Sequence, residues 1–414
     1  MNNLGALPAW LAPLRPALPG LDPGDWDLLD EFEHALAAAL PSAAPDAGRR
    51  PAQLLELRGA LARAGFADVC LPPAHGGRGR GLAVQGLMQF IAGFYDTDLR
   101  DATGPGHGRM IQAHASPAAR AVWQPRLASG ELVGIAATER HGGSRLPAIT
   151  TAARRRPGGG WWLTGEKTWI SRLDEAGAFV VFATIEDRGV SAALVPANAP
   201  GLLRTANRPA GLSGWSWGSL HLGEVHLRED DLIGAPGDGL RVFDEHFAVF
   251  RPLVTATALG TAAGVHTAVT GILRARVACG ILTSLRDTAL VRLGESHAQI
   301  NAALLHTLAA LRLAETGSPH AAVFSRTGKA TGVATAHRAA HELPLLVGAF
   351  GFQDGHRLVK ARRDLDALQL ADGIGEELLR SAGRILTGTP TDTHRTDRPS
   401  DLRRDRLTEE PARA

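Results

Sequence analysis

Apolar positions in the first third of the chain fall at helical spacing. Leu28, Leu29, Phe32 and Leu36 recur every three or four residues after Asp25, a residue type that caps helix N-termini. Leu54, Leu55, Leu57 and Leu61 form a second stripe that ends near Gly65, and a third apolar helix is expected over 83–94, beyond the glycine-rich loop 76–81. Between about 134 and 234 the period changes. The runs 161–164, 179–183, 192–196, 219–222 and 225–227 are short, apolar and bounded by turn residues, which predicts strands. From 239 to 388 helical spacing returns in four or five Ala/Leu/Arg segments punctuated by Gly or Pro. Residues 1–25 read as an irregular lead-in and 389–414 as a disordered tail. The fold class is therefore α+β: an N-terminal helical domain over 26–133, a central β-barrel or sandwich-like domain over 134–234, and a C-terminal four-helix bundle over 235–388.

Composition narrows the function classes. A formal net charge of +2 over 414 residues, with basic and acidic residues interspersed, excludes a whole-protein electrostatic footprint on nucleic acid. The long uncharged stretch 252–273 carries five threonines, a histidine and several glycines, and reads as a packed bundle helix with no membrane role. The N-terminus lacks the basic region of a signal peptide, and two cysteines are too few for a disulfide framework, so a cytoplasmic setting is expected. Only three of the 44 basic side chains are lysines (Lys167, Lys329 and Lys360), and Tyr95 is the single tyrosine. His337 and His341 have the spacing of two zinc ligands, but Arg338 stands where HExxH carries Glu, so no metal is expected.

Several words in the sequence resemble the acyl-CoA dehydrogenase family of flavoproteins, over about residues 50–388. LPPAHGG at 71–77 and LASGELVG at 127–134 resemble its approach to the β domain. TERHGGS at 138–144 resembles "TEP..GSD", and GEKTWIS at 165–171 resembles "G.K.WI(T/S)N"; these two at this spacing are the most specific signal. VHLREDDLIG at 225–234, FRP at 250–252, RVACG at 276–280, LVGAFGF at 346–352, RD at 363–364 and LADGIGE at 370–376 resemble later family words.

The resemblance implies FAD as cofactor. It places Thr138, Ser144, Trp169 and Ser171 at the flavin ring, Trp169 as its aromatic wall and Ser171 near its reactive edge. It places Arg276 on the cofactor pyrophosphate across a dimer interface and Gly348 at a close backbone approach. Arg251, Ala371 and Gly373 fall at substrate-side positions. Asp372 stands where most of the family carries the Glu that removes the substrate's α-proton while the β-hydrogen leaves as hydride. On their own, Trp169 reads equally as a core strand aromatic, Gly348 as a helix C-cap and Asp372 as a helix-capping loop residue.

Departures cluster around the reaction. Asp372 is shorter than Glu by about 1.5 Å, Ala371 replaces the family Tyr, Phe250 occupies the position where some relatives keep the base, and Arg172 replaces the Asn after "WI(T/S)". The expected function is oxidation of an acyl thioester, carried on CoA or an acyl carrier protein, in specialised biosynthesis, by a homodimer or homotetramer whose electron acceptor the sequence leaves open. Two alternatives stand beside it: a flavoenzyme with an altered outcome (α-hydroxylation or oxidative ring formation), and a non-catalytic homologue that binds an acyl carrier.

Overall fold

A computed structural model describes residues 5–18, 20–40, 51–142, 146–353 and 355–389. Five helices come first: α1 (Pro23–Ala39), α2 (Pro51–Arg63), α3 (Leu82–Tyr95), α4 (Arg109–His114) and α5 (Pro117–Ala128). The cap of α1 is Asp22, not Asp25. Its carboxylate accepts from the backbone N–H of Asp25 at 2.8 Å, and the Asp25 side chain accepts from the N–H of Asp22 at 3.0 Å. Pro23 explains the shift, because its fixed φ suits the first helical position.

The lead-in is short and irregular in geometry but packed. Trp10 is 4% exposed and donates from Nε1 to the Thr267 hydroxyl, while Glu33 accepts from the backbone N–H groups of Ala6 and Leu7 and from Tyr95. That contact with Glu33, together with burial, raises the Tyr95 phenol above its ordinary range.

The strands are β1 (Leu132–Ala136), β2 (Ala152–Arg155), β3 (Trp161–Ser171), β4 (Ala176–Ile185), β5 (Gly189–Pro196), β6 (Leu202–Asn207), β7 (Trp217–Leu227) and β8 (Leu232–Ile233). They form one open mixed sheet in the order β6-β7-β3-β2-β4-β5-β8, with β1 parallel to β4. Along β4, Phe179, Val181 and Ala183 enter one apolar cluster while Ala178, Val180 and Phe182 enter the other. That alternation is why β4 reads as a continuous apolar run: both of its faces are covered. The second cluster includes Met110 and Ile111 of α4 and Trp123 and Leu127 of α5.

The C-terminal part has three long helices, α6 (Gly239–Ala278), α7 (Asp287–Glu315) and α8 (Ala321–Glu342), and two shorter ones, α9 (Arg357–Leu370) and α10 (Gly375–Thr387). Helix α6 is long and apolar enough to cross a membrane, yet 89% of its most apolar window is buried inside the protein. Helices α3, α8 and α7 all pack on it, and against α3 the backbones touch. A Cβ on Gly93 would lie 2.0 Å from the Thr257 carbonyl oxygen, and one on Gly260 would lie 2.0 Å from that of Phe90. The hydroxyl of Thr261 crosses the same gap to the Gly93 carbonyl at 3.0 Å. Gly260, Gly264, Thr257 and Thr261 are thus contact residues at which the two helices touch.

Gly260→Ala is expected to destabilise the protein by roughly 1–3 kcal/mol, because the two helices must separate to admit a methyl group. Gly271→Ala, where a Cβ meets nothing within 4 Å, is expected to stabilise it by about 0.5–1 kcal/mol through helix propensity. Denaturant unfolding of both variants checks the opposite signs.

Candidate functional site

The loop between α9 and α10 carries Ala371, Asp372 and Gly373. Asp372 (φ 58°) and Gly373 (φ 108°) are both left-handed, a conformation that Asp tolerates and Gly favours. Two buried cations hold this loop by its carbonyls. Arg251 of α6, 6% exposed, donates from Nε to the Asp372 carbonyl at 3.0 Å. Lys329 of α8, 1% exposed, donates from Nζ to the carbonyls of Gly373 (2.5 Å) and Leu368 (2.9 Å). Burial pushes the Lys329 ammonium down to about 8 despite the opposing charge of Asp372, with Arg251 adding to the fall. Burial likewise lowers Arg251 to about 10. The cations meet only backbone oxygens of the loop, so the Asp372 carboxylate has no hydrogen-bond or ion-pair partner among the described residues. It does not cap α10, whose N-cap is Ile374. Its surroundings are cationic: Arg251, Lys329 and Arg100 all feel its charge.

Arg100 leads from this loop to the sheet. It follows α3 in the helical turn Thr97–Asp101, and it stands 3.7 Å from both Asp98 and Asp101. Asp101 accepts a two-pronged contact from Arg172, Nε and Nη2 each at 2.8 Å, and Arg172 Nη1 donates to the Ser171 hydroxyl at 2.7 Å. Burial would raise the Asp101 carboxyl, but Arg172 and Arg100 hold it below the usual range. Arg58 closes the same loop from behind, donating to the carbonyls of Gly130 (2.6 Å), Gly104 (3.0 Å) and Asp101. Ser171, Arg172, Asp101 and Arg100 therefore form a run of polar contacts, and Arg100 feels the charge of Asp372 without touching it.

The two most specific sequence words are joined by contacts. Thr168 N–H donates to the Thr138 carbonyl at 2.9 Å, and Lys167 meets Glu139 at 2.8 Å, both side chains being at most 3% exposed. Glu139 also accepts from the N–H and hydroxyl of Thr150 and of Thr151. Burial would raise its carboxyl, but these donors, Lys167 first, hold it far below the usual range. Next to this junction Trp169 is not a core residue. It sits in a bulge of β3 with φ 57° and is 57% exposed, so its indole is open to a ligand. Ser144 lies outside the described residues.

A small cavity of about 20 Å³, room for little more than a water molecule, lies between α3, the 97–106 segment and α6. Phe250, Leu253, Val254 and Thr257 line it from one face of α6, Gln85 and Gln89 from α3, and Arg100, Asp101 and Arg109 complete a wall of mixed polarity. Ala371 is not among the lining residues and packs against the helical core. Behind Phe250, the buried His107 and His246 rings meet at 3.0 Å. Burial, together with Arg109 and Arg251, lowers His246 to about 3.

Arg276 and Gly348 form a separate group. Arg276 Nη2 donates to the Val347 carbonyl at 3.0 Å, immediately before Gly348, which breaks a 3₁₀ run with φ 67° and ψ −147° and does not cap a helix. Arg276 lies 25 residues beyond Arg251 on α6, about 37 Å along the axis. The two groups cannot meet within one chain.

Comparison with known proteins follows this geometry. Residues 134–225 match the family model "Acyl-CoA dehydrogenase, middle domain", and residues 237–387 match "Acyl-CoA dehydrogenase, C-terminal domain". The short-chain specific acyl-CoA dehydrogenase of Homo sapiens mitochondria is 27% identical over 274 residues, which is 64% of this chain and 65% of that protein, just under two thirds of its length. Among solved structures, glutaryl-CoA dehydrogenase from Mycobacterium smegmatis in complex with FADH2 superposes with a TM-score of 0.77 at 21% identity, covering 89% of this chain and 95% of that one. The prolyl acyl carrier protein oxidase AnaB does so with 0.79 at 16% identity, covering 88% and 99%. The two family models together take in more than half of the chain, in the order in which its sheet and helical bundle occur, and the chain belongs to the acyl-CoA dehydrogenase family.

Proposed function

We propose that this chain binds FAD and oxidises an acyl thioester, with Asp372 taking the α-proton. The observation that carries the reading is the exposed Trp169 indole beside the joined TERHGGS and GEKTWIS segments, with the Ser171–Arg172–Asp101 contacts reaching Arg100, which feels the charge of Asp372. The donor set fits a flavin: Trp169 offers a flat apolar face, Ser171 carries a hydroxyl two residues further along the same strand, and Thr138 carries one on the segment bonded to Thr168. When bound, FAD supplies the acceptor for the β-hydride. Arg251 and Lys329 fix the loop through its backbone, which leaves the Asp372 carboxylate free to receive a proton. Because Asp is about 1.5 Å shorter than Glu and a 1 Å misplacement can cost on the order of 10²-fold in rate, the substrate must sit closer to this loop than a Glu-bearing site would require.

Asp372, Ala371 and Phe250 stand at the family's reacting positions in place of its usual residues, which favours an acyl group other than a simple straight chain. That supports a specialised substrate, on CoA or on an acyl carrier protein. The distance between Arg251 and Arg276 supports a homodimer in which one chain's Arg276 and Gly348 face the cofactor of the other. Ile281 (71% exposed), Leu345 (68%) and Phe350 (44%) lie near that group in sequence and support a covered surface there.

Asp372→Asn is expected to abolish exchange of the substrate α-proton with deuterated water while FAD stays bound; exchange at the wild-type rate removes Asp372 from this role. The purified protein is expected to be yellow. Trp169→Ala and Arg276→Ala should each weaken FAD binding by roughly tenfold or more, followed by flavin fluorescence. A colourless protein that takes up no FAD overturns the reading. Fast desaturation of straight-chain acyl-CoAs overturns the specialised-substrate assignment alone.

A further inference from the structure

Outside this site, α8 and α9 bring three ligating side chains together. His337 and His341 lie one turn apart on α8, so both rings leave the same face of the helix. Their centroids are 4.3 Å apart. Asp366 of α9 faces them from the neighbouring helix, and its Oδ1 lies 2.8 Å from Nε2 of His337 and 2.8 Å from Nε2 of His341. The ligand atoms all fall within 4.8 Å of one another, and the side chains are 34%, 40% and 48% exposed, so an ion reaches them from solvent.

The geometry points to a divalent cation site at His337, His341 and Asp366, of the borderline class that imidazole and carboxylate select, with Zn²⁺ the representative ion. Two imidazole nitrogens and one carboxylate oxygen are a common zinc donor set, leaving a fourth position for water. Zinc–ligand bonds of about 2.0–2.2 Å put tetrahedral ligand atoms roughly 3.3 Å apart. The two oxygen–nitrogen distances need to open by only about half an ångström, which rotation of the Asp366 carboxylate and the imidazole rings provides. Both nitrogens already converge on one oxygen, so the ion replaces two shared contacts, each ring binding it through the Nε2 lone pair and carrying its one N–H on Nδ1. Arg338 is adjacent in sequence but, at i+1, projects from a different face of the helix.

The site has a mechanical consequence. Helix α8 already holds the Gly373 carbonyl through Lys329, and Asp366 precedes Asp372 by six residues. A cation bridging α8 and α9 adds a second tie between α8 and the segment that ends in the Asp372 loop. This inference does not depend on the proposed reaction.

Calorimetric titration of the full-length protein with ZnCl₂ is expected to show one tight site per chain, with affinity falling by roughly tenfold or more in His341→Ala and in Asp366→Asn. Electron paramagnetic resonance of the wild-type protein with one equivalent of Cu²⁺ is expected to show coupling to two nitrogens, a readout that needs no variant to fold. Wild-type and His341→Ala titrating alike, or a Cu²⁺ spectrum without two-nitrogen coupling, overturns the assignment.

Discussion

Backbone-to-backbone contact between α3 and α6 sets the geometry on which the remainder depends. With Gly93 against the Thr257 carbonyl and Gly260 against that of Phe90, no side chain separates the two helices at their crossing. The spacing of the cavity follows: Gln85 and Gln89 on α3 look across it at Phe250, Leu253, Val254 and Thr257 on α6. The turn Thr97–Asp101 leaves the end of α3 already aimed at the sheet, which is what lets Asp101 meet Arg172. Arg251 sits on the same helix about two and a half turns before Gly260, so the crossing also fixes the cation that holds the Asp372 carbonyl. Packing of this kind tolerates no gradual drift, because interiors are dense and a methyl group at the crossing has nowhere to go.

The helix–sheet–helix order is legible because the hydrophobic period changes twice, and that signal survives divergence. The TERHGGS and GEKTWIS words are legible for another reason: Lys167, Glu139, Thr138 and Thr168 contact one another across the junction, so the words are two halves of one structure. What the sequence hides is long-range pairing. Nothing local shows that Arg172 reaches Asp101, 71 positions away, or that Asp366 faces His337 and His341. Asp22 was hidden by a plausible neighbour, since two aspartates flank Pro23 and only the proline's fixed φ decides between them.

Lys329 is the functional residue that reading by family words passes over, and composition held a signal for it. In a chain where arginine has replaced almost every basic side chain, the surviving lysines mark places that a guanidinium does not fit. Lys329 places a compact ammonium against two carbonyls. Lys167 does the same against Glu139, and Lys360 meets Asp96, Asp98 and Asp364 at 2.6, 2.7 and 2.6 Å. Arginine's planar fork prefers flat bidentate partners, and none of these cages is flat.

Those three cages carry a practical meaning for anyone handling the protein. The side chains of Lys167 and Lys360 are 0% and 15% exposed, and Lys329 as a whole residue is 1% exposed. The folded molecule therefore offers reagents that attack amines no ε-amino group beyond that of Lys360, whose ammonium is held by three carboxylates. Acylating dyes, amine-directed crosslinkers and aldehyde-activated supports will find Lys167 and Lys329 only in chains that have opened, so covalent labelling at those two positions becomes a direct count of unfolded molecules.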